Sequence, residues 1–75
     1  MSRPTSCSYQ IPGSWGAVAI CDHSNGGHYR ALVICKDSKG NLYNYVGGWR
    51  TDGYSYAYCQ GESKASSAGI ETKVS

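Results

Sequence analysis

The stretch "HSNGGHYRALVICKDSKGN", residues 23–41, places an alternating segment between two turn signals. Asn25-Gly26 is the strongest short signal for a β-hairpin, because both central residues of that turn need positive φ. The residues that follow alternate with a period of two, which is typical of a β-strand. Asp37 then begins a second turn, with Gly40 at a left-handed position. The stretch therefore predicts a strand bounded by two tight turns.

The predicted strand has two faces of different composition. That face carries Tyr29, Ala31, Val33 and Cys35. The opposite face carries Arg30, Leu32, Ile34 and Lys36. The two sets therefore lie on opposite faces of the predicted strand.

The same period of two extends outward along the chain. We predict further strands at residues 15–21, 42–46, 54–59 and 68–74, separated by glycine-rich turns. The fold class is therefore all-β: a small antiparallel meander of about five strands, curled into a barrel or sandwich and stapled by two disulfides. Residues 1–13 contain both prolines and are expected to form an extended N-terminal arm, followed by a single β domain at 14–75.

Four cysteines supply the predicted staples, because a chain of 75 residues buries little apolar surface. No two of them form the close C-x2-C pair of a zinc site, so we expect no metal. Turn geometry places Cys21 and Cys35 at opposite ends of the sheet, and alternating strand direction returns Cys59 to the Cys35 end. The favoured pairs are Cys7–Cys21 and Cys35–Cys59.

Disulfides predict an oxidising compartment, and hence secretion or an envelope surface. Residues 1–10 lack the apolar centre of a signal peptide, so we expect a mature domain whose signal has been removed. No apolar run is long enough to span a membrane. The net charge is only +2 and the Lys and Arg residues are scattered, which does not favour a nucleic-acid partner.

Tyrosines dominate the later strands, and phenylalanine is absent. Ala57 and Cys59 are small and fit the inside of their strand. The tyrosines that alternate with them are therefore expected on an outer, partly wet face, beside those of the neighbouring strand. This set comprises Tyr54, Tyr56 and Tyr58, with Tyr43 and Tyr45 as neighbours. Such rings either cover the edge of the core or form an exposed binding platform.

Trp49 and Arg50 lie in a glycine-rich loop. A tryptophan flanked by Gly47 and Gly48 is hard to explain as strand packing. It either caps the end of the barrel or protrudes as an anchor, with Arg50 offering its planar fork to a carboxylate. Trp15 opens a predicted strand and is expected in the core.

His23 and His28 flank the Asn-Gly turn. Two histidines across a hairpin are what the acid/base pair of a small ribonuclease-like enzyme needs, and they would also suit a surface metal site. Polar residues beside a turn are the more ordinary interpretation. The chain contains no phosphate-binding glycine loop, serine nucleophile elbow or paired-carboxylate motif, which favours a non-enzymatic role without a cofactor.

The order "SWGAVAIC…HYRALVIC…LYNYVGGW…SYAYC…AGIETKV" resembles small secreted, disulfide-stapled β proteins of unassigned function in actinobacteria. The resemblance spans residues 15–74 and implies secretion and disulfides, but no mechanism. We therefore predict a secreted, non-enzymatic binding module. It would contact an extracellular protein, as an inhibitor or adaptor, through Trp49, Arg50 and the tyrosines. The alternatives are a carbohydrate-binding module using the same aromatics, and a small secreted nuclease or toxin component.

Overall fold

The computed structural model describes residues 2–75, which form six β-strands and no helix. The strands are β1 (Thr5–Gly13), β2 (Gly16–His23), β3 (His28–Lys36), β4 (Leu42–Val46), β5 (Ser55–Tyr58) and β6 (Lys64–Lys73). They build two antiparallel three-stranded sheets, in the order β1–β2–β5 and β4–β3–β6. The predicted all-β class is confirmed.

The strand count and the topology correct the prediction. There are six strands rather than five, and over residues 2–75 the two sheets form a sandwich and do not close into a barrel. The additional strand is β1, within the segment expected to be an extended arm. Cys7, Tyr9 and Ile11 alternate with polar residues along it, but both faces of the strand are exposed, so the pattern marks no buried face. Backbone pairing with β2, from Thr5–His23 to Gly13–Gly16, makes it a strand.

The Asn-Gly turn forms, but it does not make a hairpin. Asn25 and Gly26 have φ values of 54° and 82°, and the Gly27 N–H donates to the Ser24 carbonyl at 2.8 Å. The strands on either side, β2 and β3, belong to different sheets. The turn therefore connects one sheet of the sandwich to the other. The Asn-Gly sequence determines the φ values of the turn, but it does not determine which strands pair with β2 and β3.

The second predicted turn is confirmed and does make a hairpin, between β3 and β4. The Asp37 carboxylate accepts the backbone N–H groups of Lys39 and Asn41, both at 2.9 Å. Gly40 has a φ of 84°, a left-handed value that glycine adopts without steric cost. The predicted bounds of β4, residues 42–46, are those observed.

Small side chains fill the space between the sheets. The core cluster consists of Ala17, Ala19, Ala31, Val33, Cys35 and Ala57. The face of β3 that carries Tyr29, Ala31, Val33 and Cys35 is buried. Its largest member is Tyr29, whose hydroxyl donates to the Gly53 carbonyl. With mostly alanines inside, most of the large aromatic side chains lie outside this core.

Both favoured disulfides are confirmed. Cys7–Cys21 joins directly paired residues of β1 and β2, within one sheet. Cys35–Cys59 joins the end of β3 to the residue after β5, and so ties the two sheets together. Ser55 adds a polar tie between the layers, since its buried hydroxyl accepts the Ala31 N–H at 2.9 Å and donates to the Gly48 carbonyl at 2.7 Å.

Candidate functional site

The outer side of the β1–β2–β5 sheet carries a row of aromatic side chains, here called the aromatic face. Its members are Trp15, Tyr54, Tyr56 and Tyr58, which are between 42% and 54% exposed. The residues that alternate with the tyrosines, Ser55 and Ala57, are 1% and 0% exposed. The predicted outer, partly wet position of these three tyrosines is therefore confirmed.

The four rings of the aromatic face are continuous. The ring centroids of Trp15 and Tyr58 lie 5.5 Å apart, and those of Tyr58 and Tyr56 lie 6.3 Å apart with planes 14° from parallel. Tyr54 follows at 6.2 Å from Tyr56. These separations lie within the range of favourable aromatic pairs, so each ring supports the position of the next.

A groove of about 210 Å³ runs beside the rings. Val18, which pairs directly with Tyr56 across the sheet, is buried at its base. The lining residues are Gln10, Pro12, Trp15, Val18, Tyr54 and Tyr56. None of them is charged, so the groove is neutral and offers aromatic surface with a few polar groups.

Trp15 was expected in the core, and that expectation is wrong. The structure places Ser14 and Trp15 in the tight turn between Gly13 and Gly16, which pair as β1 meets β2. A side chain in a turn at the edge of a sheet has no second layer above it, so the indole lies over Tyr58 instead. The sequence does indicate that Trp15 lies in a turn, because glycines flank it as they flank Trp49, which is predicted to lie in a loop.

Trp49 is half-buried and is engaged by its own chain. The guanidinium of Arg30 and the ammonium of Lys73 each lie 4.3 Å from the centroid of its ring. Arg30 also forms a 2.7 Å salt bridge with Glu71. Because Arg30 alternates with the buried residues of β3, this cluster lies on the outer side of the β4–β3–β6 sheet, on another surface than the aromatic face.

Arg50 also belongs with the second sheet. Its backbone exchanges two hydrogen bonds with Tyr29, at 2.8 and 3.0 Å. Its half-exposed guanidinium donates to the Asp52 carbonyl at 3.1 Å and lies 3.8 Å from the Asp52 carboxylate. The loop is therefore held against β3 by backbone hydrogen bonds, and the Arg50 guanidinium contacts Asp52 of the same loop.

Tyr43 and Tyr45 do not lie beside the aromatic face, as had been expected. β5 pairs with β2, whereas β4 pairs with β3 in the other sheet. Tyr45 is half-buried against the core cluster. The Tyr43 hydroxyl donates to the Asp37 carboxylate at 3.1 Å. The candidate binding residues thus fall on three separate parts of the surface.

Asp37 and Tyr43 each shift the pKa of the other. The Asn41 backbone N–H, followed by further hydrogen bonds from Asn41, Lys39 and Tyr43, holds the pKa of the Asp37 carboxyl below its ordinary value. The hydrogen bond to Asp37, with the charge of that carboxylate, raises the pKa of the Tyr43 phenol. At neutral pH the pair is a carboxylate accepting from a protonated phenol.

The histidines stand on either side of the turn between the sheets. His23 ends β2 and is exposed, whereas His28 begins β3 and is half-buried. The Nδ1 atom of His28 is buried and has no hydrogen-bond partner among residues 2–75. Within that part of the chain, no three His, Cys, Asp or Glu side chains come together as a metal site.

Comparison with known protein families, with curated proteins and with solved structures finds no match to this chain. The resemblance to actinobacterial secreted proteins therefore stays a prediction. In the part of the chain that the structure describes, no helix has the length and apolar character needed to cross a membrane.

Proposed function

We propose that this chain is an extracellular, non-enzymatic binding domain that contacts a protein partner through the aromatic face. One observation carries the proposal: four adjacent aromatic side chains lie on the surface while small side chains, chiefly alanines, fill the core. Burying an aromatic side chain removes a large apolar area from water and so stabilises a folded domain. A chain that leaves four adjacent rings half-exposed forgoes that gain, which favours a role for them in binding.

The chemistry of the aromatic face fits a protein partner. Tyrosine and tryptophan are enriched among the residues that dominate binding energy in protein interfaces. Four contiguous rings offer an apolar surface on the order of a few hundred Å², the size that often marks an interaction site. Because no charged residue lines the groove, the matching surface of the partner is expected to be uncharged as well.

Two disulfides in so small a domain support an extracellular location. The partner is then a protein of the same compartment. An inhibitor or an adaptor in a secreted assembly needs only a rigid surface, and the aromatic face is presented by a sheet whose strands β1 and β2 are cross-linked.

The test compares two tyrosine variants of the same sheet. Proteins captured from culture supernatant by the immobilised chain are purified, and their Kd is measured for the wild type, Tyr56→Ser and Tyr9→Ser. Tyr9 is the matched control, because it is 54% exposed but pairs with Ala19 and so belongs to the other side of the sheet. Tyr56→Ser should weaken binding about 30-fold, equivalent to ~2 kcal/mol, and Tyr9→Ser should have little effect.

Equal affinity of Tyr56→Ser and the wild type would contradict the proposal. If no protein is captured but a glycan array gives binding that Tyr56→Ser abolishes, the partner is a carbohydrate and the protein-partner proposal is wrong.

A further inference from the structure

A second candidate site lies away from the aromatic face, at the end of the sandwich where the chain leaves β5. It is a cleft of about 460 Å³ between the turn at residues 37–41 and the loop at residues 60–63. Tyr43 and Tyr45 line it from β4. Pockets for small molecules usually measure about 300 to 1,000 Å³, so the cleft has the size of such a site.

Both walls of the cleft are held in place before any ligand arrives. The Cys35–Cys59 disulfide lies just before each wall and ties the two together. On one side, Asp37 accepts hydrogen bonds from Lys39, Asn41 and Tyr43. On the other side, the Ser63 hydroxyl donates to the Gln60 carbonyl at 2.6 Å. Walls fixed in this way lose little conformational entropy on binding, which favours affinity.

The lining combines aromatic surface with planar polar groups. The tyrosine rings of Tyr43 and Tyr45 offer apolar faces. The Gln60 amide has a donor beside an acceptor, and the carboxylate of Glu62 has two acceptors. The Asn41 amide donates one N–H to the Asp37 carboxylate at 3.1 Å and keeps its carbonyl oxygen as an acceptor. Charges of both signs are present, because Lys39 accompanies the two acidic residues. The mixture gives no strong field of one sign, so neither an anion nor a cation is the favoured ligand.

We propose that this cleft binds a small neutral saccharide. A pyranose has an apolar face of C–H groups and a rim of adjacent hydroxyls, each of which both donates and accepts. The tyrosine rings match the apolar face, and the amide and carboxylate groups match adjacent hydroxyl pairs. The cleft is separate from the aromatic face, so this inference does not depend on the proposed protein partner.

The test follows amide NMR spectra of the whole chain during titration with uncharged sugars. The probes are glucose, galactose, mannose, N-acetylglucosamine and their β-linked disaccharides, taken to ~20 mM to detect a Kd near ~1 mM. At least one sugar should shift the resonances of residues 37–45 and 60–63 and leave those of residues 54–58 in place. Gln60→Ala should weaken that binding about tenfold.

Gln10→Ala is the matched control, because Gln10 is also an exposed glutamine but lines the groove of the aromatic face. Its titration should equal that of the wild type. The proposal is overturned if no sugar in the panel shifts the cleft resonances, if the shifts fall on residues 54–58 instead, or if Gln60→Ala, with a native spectrum, binds as tightly as the wild type.

Discussion

Strands β4 and β5 carry the same alternation of tyrosines but use them in opposite ways. On β5, Tyr56 and its neighbours face outward and the small residues between them face the core. On β4, Tyr45 packs against the core cluster and Tyr43 is hydrogen-bonded to Asp37. One strand therefore exposes its rings to solvent, whereas the other uses them for packing and for one wall of a cleft.

The contrast between β4 and β5 separates what an alternating pattern predicts from what it leaves open. A period of two shows which side chains share a face. It does not show which sheet the strand joins, because pairing is decided by residues far away along the chain. β5 is followed in sequence by β6 and preceded by β4, yet it pairs with β2. Only that pairing places the tyrosines of β4 and β5 on different surfaces.

The largest expected loss of stability comes from removing the Cys35–Cys59 disulfide, which links the sheet of β4 to the sheet of β5. The Cys35→Ala/Cys59→Ala double variant should lose about 2 to 5 kcal/mol of unfolding free energy, because the bridge constrains the unfolded chain and joins the sheets that hold β4 and β5. Urea denaturation measures the loss. A change under about 1 kcal/mol would show that the bridge does not hold the two layers together.

A smaller effect is expected where the chain crosses from β4 to β5. A Cβ at Gly47 would lie 2.5 Å from both the Ser55 hydroxyl oxygen and the Tyr56 carbonyl oxygen, whereas a Cβ at Gly48 meets no atom within 4 Å. Gly47→Ala should therefore cost about 1 to 3 kcal/mol by overpacking, and Gly48→Ala should stay within about 0.5 kcal/mol. Equal unfolding midpoints for the two variants would contradict this account of the crossing.

The smallest expected effect concerns pH and belongs to the β4 side alone. Asp37 has a folded pKa below its ordinary 3.8, so its contribution to stability is present above pH 3.8 and is lost as pH falls through the lower folded pKa. Tyr43 has a folded pKa above 10.0, so its contribution is present below pH 10.0 and is lost as pH rises through the raised value.

Asp37→Asn separates these two contributions. The variant should return the pKa of Tyr43 toward 10.0, as measured by the ultraviolet absorbance of the tyrosinate, because it removes the charged acceptor. An unchanged Tyr43 titration in Asp37→Asn would show that the two side chains do not interact in solution.

Much of the fold is local and could be predicted. The grouping of the β3 residues into two faces, the Asp37 turn and the bounds of β4 depend on nearby residues alone. The sequence also predicts both disulfides, although the Asn25-Gly26 hairpin on which that prediction rests does not form. Antiparallel direction is enough to place Cys35 and Cys59 at the same end, whether β2 and β3 share a sheet or face each other across the sandwich.

Features that depend on distant pairing were missed. β1 has no buried stripe, so its place in a sheet follows from β2 and from Cys7–Cys21. The tyrosines of β4 and β5 were expected in one patch, but they lie on separate surfaces because β5 pairs with β2. The exposed position of Trp15 could have been predicted from the sequence, because a tryptophan between glycines in a tight turn is poorly placed to reach a core.

The unfolding free energies of Tyr56→Ser and Tyr45→Ser, measured side by side, test whether the aromatic face is surface and not core. Tyr45 contacts the core cluster and Tyr56 does not belong to it. We predict a loss under about 1 kcal/mol for Tyr56→Ser and about 2 to 3 kcal/mol for Tyr45→Ser. A loss of about 3 kcal/mol or more for Tyr56→Ser, the cost of truncating a buried aromatic, would contradict the account.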